Sequence, residues 1–215
     1  MGVIVPGVVL AAGRSKRMGR AKALLPTAVP GQTFISRIVD ELRAGGVDDV
    51  VVVVGPDGPS IGSGFATRQP PPRTVVNLNP DAGQLSSLLA GLRAINRPGV
   101  GGMLVTLVDV PFIEAGTVRA LLDEHQRTHA PIVRPVDADD PARHGHPVIF
   151  DRSVFDELQK DDPNLGAKPV VRAHLDEAVE VPVTGDGPFL DVDTPEAYER
   201  VIGRPLPPDT ERETR

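Results

Sequence analysis

The sequence predicts an α/β fold, a three-layer sandwich around a mostly parallel sheet with a mixed C-terminal part. Short apolar runs alternate with amphipathic stretches through the first half of the chain, as in consecutive β–α–β units. Residues 50–54 are five consecutive valines, the composition of a strand that is buried on both faces. The 22 glycines and 23 prolines among 215 residues predict many loops between these elements.

Apolar spacing places the elements of the first half. Phe34, Ile38 and Leu42 recur at helical spacing, and Gly45 and Gly46 stop that helix. Strands are predicted at 8–10, 50–54, 74–77 and 103–108, and helices at 34–42, 85–95 and 114–127. The stretch 55–73 is rich in Pro and Gly and is predicted to be irregular, with a weak helix near 61–67.

The second half is less regular. Strands are predicted at 131–135, 147–150 and 178–183, and helices at 153–159, 167–174 and 195–202. Residues 1–202 are expected to form one domain. Residues 203–215 are Pro-rich and charged, which favours a flexible tail.

Composition excludes several classes of function. With 23 basic and 29 acidic residues the formal net charge is -6, so the chain lacks the basic field of a nucleic-acid-binding protein. Aromatic residues make up only 3% of the chain, which argues against base-stacking platforms. The absence of cysteine rules out a Cys-ligated metal site. No apolar run reaches the length of a membrane span, and a cytoplasmic address fits.

The strongest chemical feature is the loop 10–26, which follows the first predicted strand. Gly13 and Gly19 allow close backbone approach to a ligand, and consecutive N–H groups in such a turn can cradle phosphate oxygens. Arg14, Arg17 and Lys22 add positive charge for a triphosphate. The spacing matches neither a Walker loop nor G-x-G-x-x-G, so a solvated basic loop is the alternative.

Carboxylates follow at two further loops where strands of such a sheet would end. Asp109 comes directly after a predicted strand, where it could hold Mg²⁺. Asp191 and Asp193 lie two residues apart and share one face if the chain is extended. Thr194 is a good cap for a helix starting at Pro195, so capping explains Asp193 or Thr194 but leaves Asp191 as the better metal ligand.

Other polar residues carry weaker signals. Ser86 is a plausible N-cap of the Leu-rich helix. His125 and His129 are four residues apart on a predicted helix but lack the zincin glutamate, so a solvated helix face is expected.

Five segments together resemble one enzyme family. Residues 10–26 resemble the signature LAAGxSxRMGxxKxLLP of nucleotidyltransferases related to molybdenum cofactor cytidylyltransferase. The segments 83–88, 107–111, 145–150 and 190–196 resemble, in order, the family's G-x-x-x-S-L, Asp-x-Pro, GHPVLF and DIDTPE motifs. Residues 162–168 depart from its GDxGAR segment, since Lys168 replaces the arginine.

This resemblance implies a Rossmann-like domain that moves NMP from an NTP to a phosphate acceptor with Mg²⁺, releasing pyrophosphate. For this branch the acceptor is molybdenum-bound molybdopterin, and Ala12, where guanylyltransferases have Gly, favours CTP. A molybdoenzyme or its chaperone is a further partner that the resemblance allows. The alternatives are GTP, a sugar, polyol or isoprenoid phosphate as acceptor, or a non-catalytic nucleotide- or pterin-binding chaperone.

The resemblance also implies residue roles. Arg17, Lys22 and Asp109 would be catalytic, and Asp109 and Asp191 would hold the metal. The acceptor would meet His146, Pro147 and Lys168. The residues implied to bind the nucleotide are Leu10, Ala11, Ala12, Gly13, Arg14, Ser15, Lys22, Gly83, Ser87 and Asp109. Among these, Ser87 and the backbone of residues 11–13 are expected to meet the base and ribose.

Overall fold

The computed structural model describes residues 3–15, 17–56, 58–65, 70–160 and 165–207. Its sheet has the strand order β3-β2-β1-β4-β6-β5-β7. The strands are β1 Gly7–Ala11, β2 Val50–Val54, β3 Arg73–Val76, β4 Gly102–Leu107, β5 Ile132–Asp137, β6 Val148–Asp151 and β7 Val179–Val183. The first four are mutually parallel, whereas β6 runs antiparallel to both β4 and β5. This confirms the mostly parallel sheet with a mixed C-terminal part.

Helices cover both faces of the sheet. They are α1 Phe34–Ala44, α2 Gln84–Ile95, α3 Ala115–Thr128, α4 Phe155–Lys160, α5 Lys168–Ala173 and α6 Pro195–Ile202. One core packs α1 and α3 against the sheet, and a second core packs α2, α4 and α5 against the opposite face. The predicted three-layer architecture is therefore confirmed. No helix within the described ranges is long and apolar enough to cross a membrane.

Local capping explains where the helices begin. Thr33 and Ser36 form a reciprocal capping box at the start of α1, and Thr194 accepts from the N–H of Ala197 at 3.2 Å at the start of α6, as predicted. The expectation for α2 was wrong. Gly83 is the N-cap there, at φ 93, a conformation open to glycine, and Ser86 lies inside the first turn.

The expectation that His125 lies on a solvated face of α3 was also wrong. His125 is 2% exposed, and its Nε2 lies 2.9 Å from Asp151 Oδ2. Gly102 makes room for the ring, because a Cβ there would lie 3.0 Å from the imidazole. The sequence spacing alone does not reveal that this side of α3 faces β4 and β6.

A third apolar cluster joins the two ends of the chain. Met18 and Leu25 of the loop 10–26 pack with Tyr198 and Ile202 of α6. The Tyr198 hydroxyl donates to the carbonyl of Pro26 at 2.8 Å.

The predicted tail begins against this cluster. Arg204 donates to the carbonyl of Thr27 at 2.6 Å, and Leu206 packs on the apolar cluster. Residues 208–215 of that segment lie outside the described residues.

Candidate functional site

The loop after β1 is a tight turn over the carboxyl end of the sheet. Ser15 sits in the left-handed region at φ 46, and its carbonyl accepts from the N–H groups of Met18 and Gly19 at 2.9 and 3.1 Å. Its hydroxyl oxygen accepts from the N–H of Lys22 at 3.3 Å. A left-handed non-glycine residue of this kind is strained and is typical of functional turns. A Cβ at Gly13 would meet nothing within 4 Å, so the loop faces open space there.

The two acidic segments are tied together beside this loop. Asp109 lies just beyond the end of β4, and its carbonyl accepts from the N–H of Val192 at 2.8 Å. Asp191 and Asp193 flank Val192, which is fully buried. The structure therefore brings all three predicted carboxylates to one end of the sheet.

Lys22 lies at the centre of the charges. Its Nζ is 3.1 Å from Asp109 Oδ2 and also pairs with Asp193, and only 11% of its side chain is exposed. Arg17 pairs with the other oxygen of Asp193 at 2.7 Å. Both carboxylate oxygens of Asp193 are therefore already paired with a cation.

The surroundings of the carboxylates differ. Hydrogen bonding from Lys22, aided by the charge of Arg17, lowers the pKa of Asp193. Burial, followed by repulsion from Asp109 and Asp193, raises the pKa of Asp191. Asp109 Oδ1 is buried and has no hydrogen-bond partner among the described residues.

These observations fit a divalent cation held together with substrate. Within the described part of the chain, no three His, Asp or Glu side chains are arranged to hold an ion by themselves. Mg²⁺ is, however, commonly bound by one or two carboxylates plus substrate phosphates. Asp109, whose Oδ1 has no partner among the described residues, and Asp191, whose pKa is raised, are the two carboxylates that could form such a pair.

Three adjoining cavities lie beside the loop 10–26. The largest, of about 780 Å³, lies between the backbone of residues 11–13 and Gly55, and the other two hold about 400 and 420 Å³. Lys22 and Asp109 line both smaller cavities, and Ser87 lines the 420 Å³ one. The residues predicted to bind nucleotide that line at least one of the three are Leu10, Ala11, Ala12, Gly13, Arg14, Ser15, Lys22, Gly83, Ser87 and Asp109.

Two residues beyond β3 were not predicted. Asp81 pairs with Arg14 across the mouth of the cavities, and Asn77 hydrogen-bonds to Ser86 and Ser87. The position of both residues after a parallel strand is the signal that could have identified them.

A fourth cavity, of about 620 Å³, adjoins the 420 Å³ cavity, with which it shares Leu10, Gln84 and Leu107. Its floor is apolar, and its polar side chains include Arg134, His144, His146, Lys168 and Arg172. Two of the three predicted acceptor residues, His146 and Lys168, line it.

The third predicted acceptor residue, Pro147, is buried and does not line the apolar cavity. Burial lowers the pKa of His146, and its Nδ1 has no hydrogen-bond partner among the described residues. Burial therefore favours the neutral form of the His146 imidazole over the charged one.

A basic loop and carboxylates at the carboxyl ends of parallel strands define a nucleotide-binding α/β protein. The chain belongs to the family of the MobA-like NTP transferase domain, whose model matches residues 7–179, and it is a nucleotidyltransferase. Both the recognised family and the predicted enzyme class are thereby confirmed.

Known relatives cover most of the chain. Nicotine blue oxidoreductase of Paenarthrobacter nicotinovorans is 35% identical over 153 residues, 70% of this chain and 72% of that protein. Molybdenum cofactor guanylyltransferase of Sinorhizobium fredii is 27% identical over 90% of this chain and 88% of its own. The crystal structure of Rv0371c from Mycobacterium tuberculosis is 30% identical, with a TM-score of 0.78 over 95% of this chain and 100% of that one. A structure of Rv0371c in complex with manganese has a TM-score of 0.74 at 28% identity, with the same coverage.

Proposed function

We propose that the enzyme transfers CMP from CTP to the terminal phosphate of molybdenum-bound molybdopterin and releases pyrophosphate. The observation that carries this proposal is that Lys22 and Asp109 line the cleft beside the apolar cavity. Asp191 lies next to Val192, whose N–H donates to the carbonyl of Asp109. The transferase domain is proposed to span residues 1–202 and to act in the cytoplasm. A molybdoenzyme or its chaperone would receive the product.

Positioning and charge neutralisation account for the chemistry. An oxygen of the acceptor phosphate attacks the α-phosphorus in line, and the bond to pyrophosphate breaks. That oxygen is already ionised near neutral pH, so no strong general base is needed. Arg17 and Lys22 are proposed to neutralise the charge that develops on pyrophosphate. Their pairing with the same carboxylate, Asp193, supports this, because it holds both cations side by side.

Asp109 and Asp191 would hold the divalent cation, Mg²⁺ in this proposal. When bound, the ion supplies charge neutralisation at the phosphate oxygens. Manganese in the structure of the related Rv0371c supports a divalent ion for this fold. Lys22 leaves Asp109 Oδ1 free for such a role, because it bonds only to Oδ2.

The acceptor is proposed to enter the apolar cavity with His146 and Lys168 beside it. The apolar floor suits a ring system better than a sugar or polyol, whose hydroxyls would lose their hydrogen bonds to water. The base and ribose are proposed to lie along the backbone of residues 11–13.

The test is pyrophosphate release with each NTP and Mg²⁺ or Mn²⁺, with and without molybdenum cofactor. Turnover only with CTP and cofactor is expected, and turnover with GTP or a sugar phosphate would replace this assignment. Asp109→Asn is expected to abolish turnover with the fold intact, whereas the exposed Asp123→Asn on α3 serves as the control. Wild-type release by Asp109→Asn would refute its role.

A second candidate is reduction of a flat heteroaromatic ring by a nicotinamide nucleotide. It is favoured by the 35% identity to nicotine blue oxidoreductase and by the apolar cavity beside the cleft. Oxidation of NADH or NADPH, followed by absorbance with nicotine blue present, distinguishes it from transfer, which produces pyrophosphate and leaves the dinucleotide unchanged.

A further inference from the structure

The cations around the cavities differ in whether a carboxylate neutralises them. Arg17 and Lys22 both pair with Asp193. In the wall of the apolar cavity, Arg134 pairs with Glu180. Two further cations of that wall, both on α5, are not neutralised in this way.

These two cations are Lys168 and Arg172, which lie four positions apart on α5. Both residues are exposed, both line the apolar cavity, and neither has a hydrogen-bond or ion-pair partner among the described residues. Like charges four positions apart on a helix repel each other. An anion bound between the two side chains would therefore relieve a repulsion that the free protein carries.

The cavity that these cations border is otherwise apolar. Val171 of the same helix lines it together with Leu88 of α2 and Phe150 of β6. Its described lining residues include no Asp or Glu. The cavity thus combines an apolar floor with positive charge that no lining carboxylate neutralises, which suits a ring system that carries an anionic group.

The two cations lie away from the place proposed for the reacting phosphate. That phosphate would sit beside Lys22 and Asp109, which line the 420 Å³ cavity. No residue of α5 lines that cavity or either of its two neighbours beside the loop 10–26. The anion that Lys168 and Arg172 would meet is therefore a second one.

We propose that Lys168 and Arg172 are specificity-determining residues that bind a second anionic group of the acceptor, separate from its phosphate. The acceptor class is then an apolar ring system with two acidic groups. In molybdenum-bound molybdopterin, the molybdenum with its oxo and dithiolate ligands is such a group, and a ring carboxylate has the same charge. The role rests on the proposed function in one respect, because it takes the apolar cavity as the acceptor site.

The first measurement needs no turnover. Anilinonaphthalenesulfonate and N-phenylnaphthylamine share one ring system, and only the sulfonate is charged, so the ratio of their Kd values reports how strongly the cavity favours an anion. In fluorescence titrations, Lys168→Gln and Arg172→Gln are each expected to reduce the preference for the sulfonate about 3-fold, and the double variant about 10-fold. The Kd of the neutral dye should stay within about 2-fold.

Arg172→Glu separates a loss of charge from damage to the cavity. The new carboxylate attracts Lys168, so the preference for the sulfonate should fall at least as far as in the double variant, whereas the midpoint of thermal unfolding should not fall. Arg93→Gln is the matched control, because Arg93 is exposed on α2 and lines none of the four cavities. It should leave both dyes unaffected.

The second measurement uses the acceptor itself. With molybdenum cofactor, the double variant is expected to raise the KM of the acceptor about 10-fold and to leave the KM of CTP within about 2-fold. Molybdenum-free molybdopterin identifies the source of the anion. A molybdenum centre in this role gives the wild type a lower KM for the loaded form, and the double variant loses that difference, whereas a ring anion gives both forms the same dependence on the two cations.

An unchanged ratio of dye affinities in the double variant, an equal loss for both dyes, or no binding of the sulfonate would overturn the proposal. Intact discrimination between the dyes without pyrophosphate release refutes only the transferase. Pyrophosphate release with an acceptor KM that the double variant does not change refutes only this role of Lys168 and Arg172.

Discussion

Replacing Lys22 by Met isolates the charge at the centre of the site. The ammonium lies 3.1 Å from Asp109 and also pairs with Asp193, and its side chain is 11% exposed. Across 3.1 Å, the Coulomb attraction at an effective dielectric constant of about 20 is about 5 kcal/mol. Desolvation of the ions offsets part of it, and both carboxylates keep some solvent contact. A net loss of about 2–3 kcal/mol in the free energy of unfolding is therefore expected.

Urea unfolding of Lys22→Met and of the wild type, each with and without millimolar Mg²⁺, measures this loss. Mg²⁺ should recover more stability in the variant, because the ion can offset the carboxylate charge that the ammonium no longer neutralises. Lys160→Met, at the exposed end of α4, is the control and should change little. The reasoning fails if Lys22→Met unfolds like the wild type, or if Mg²⁺ stabilises both proteins equally.

Three other perturbations test the site and its supports. Asp191→Asn should stabilise the metal-free protein at neutral pH while abolishing turnover, because the raised pKa of Asp191 means that its ionised form destabilises the fold. In a pH series of urea unfolding this gain should disappear below the ordinary pKa of 3.8, and a destabilised variant at pH 7 would contradict it. Tyr198→Phe leaves the Pro26 carbonyl without its donor and should cost about 1–2 kcal/mol in urea unfolding, and an unchanged midpoint would exclude this role. Hydrogen bonding from His174 to Glu157 raises the pKa of His174, so its stabilisation should be full below its ordinary pKa of 6.5 and be lost as pH rises through the raised value. His174→Gln should therefore differ from the wild type in thermal melts at pH 6 but not at pH 9.

Much of the fold follows from local sequence. The five valines Val50–Val54 point alternately to the two faces of their strand, so all of them are buried only if the sheet is covered on both sides. The apolar spacing in α1 and α2 predicts amphipathic helices. The direction of a strand cannot be predicted in this way. The apolar run of β6 would look the same whether the strand ran parallel or antiparallel to its neighbours. Its antiparallel pairing with β4 and β5 depends on how the intervening chain returns.

The sequence predicts those site residues that combine a suitable side chain with a position just after a strand. Gly13, Lys22 and Asp109 combine a suitable residue type with a position after a strand. Asn77 and the buried pair of His125 with Asp151 lack such a motif, since their roles depend on partners that only the packed structure brings near. Asp193 could be explained from sequence as a cap, whereas its pairing with Lys22 spans 171 positions.

The apolar cluster that joins Met18 to Tyr198 bears on how the enzyme is made. Arg17 and Asp193 are separated by 176 positions, so a ribosome finishes the loop 10–26 long before it makes the acidic segment that faces it. A nascent chain that stops before Asp191 has neither the anchor for that loop nor two of the three carboxylates. The proposed site is therefore complete only after α6 has been synthesised, and a chain that lacks α6 is expected to be inactive.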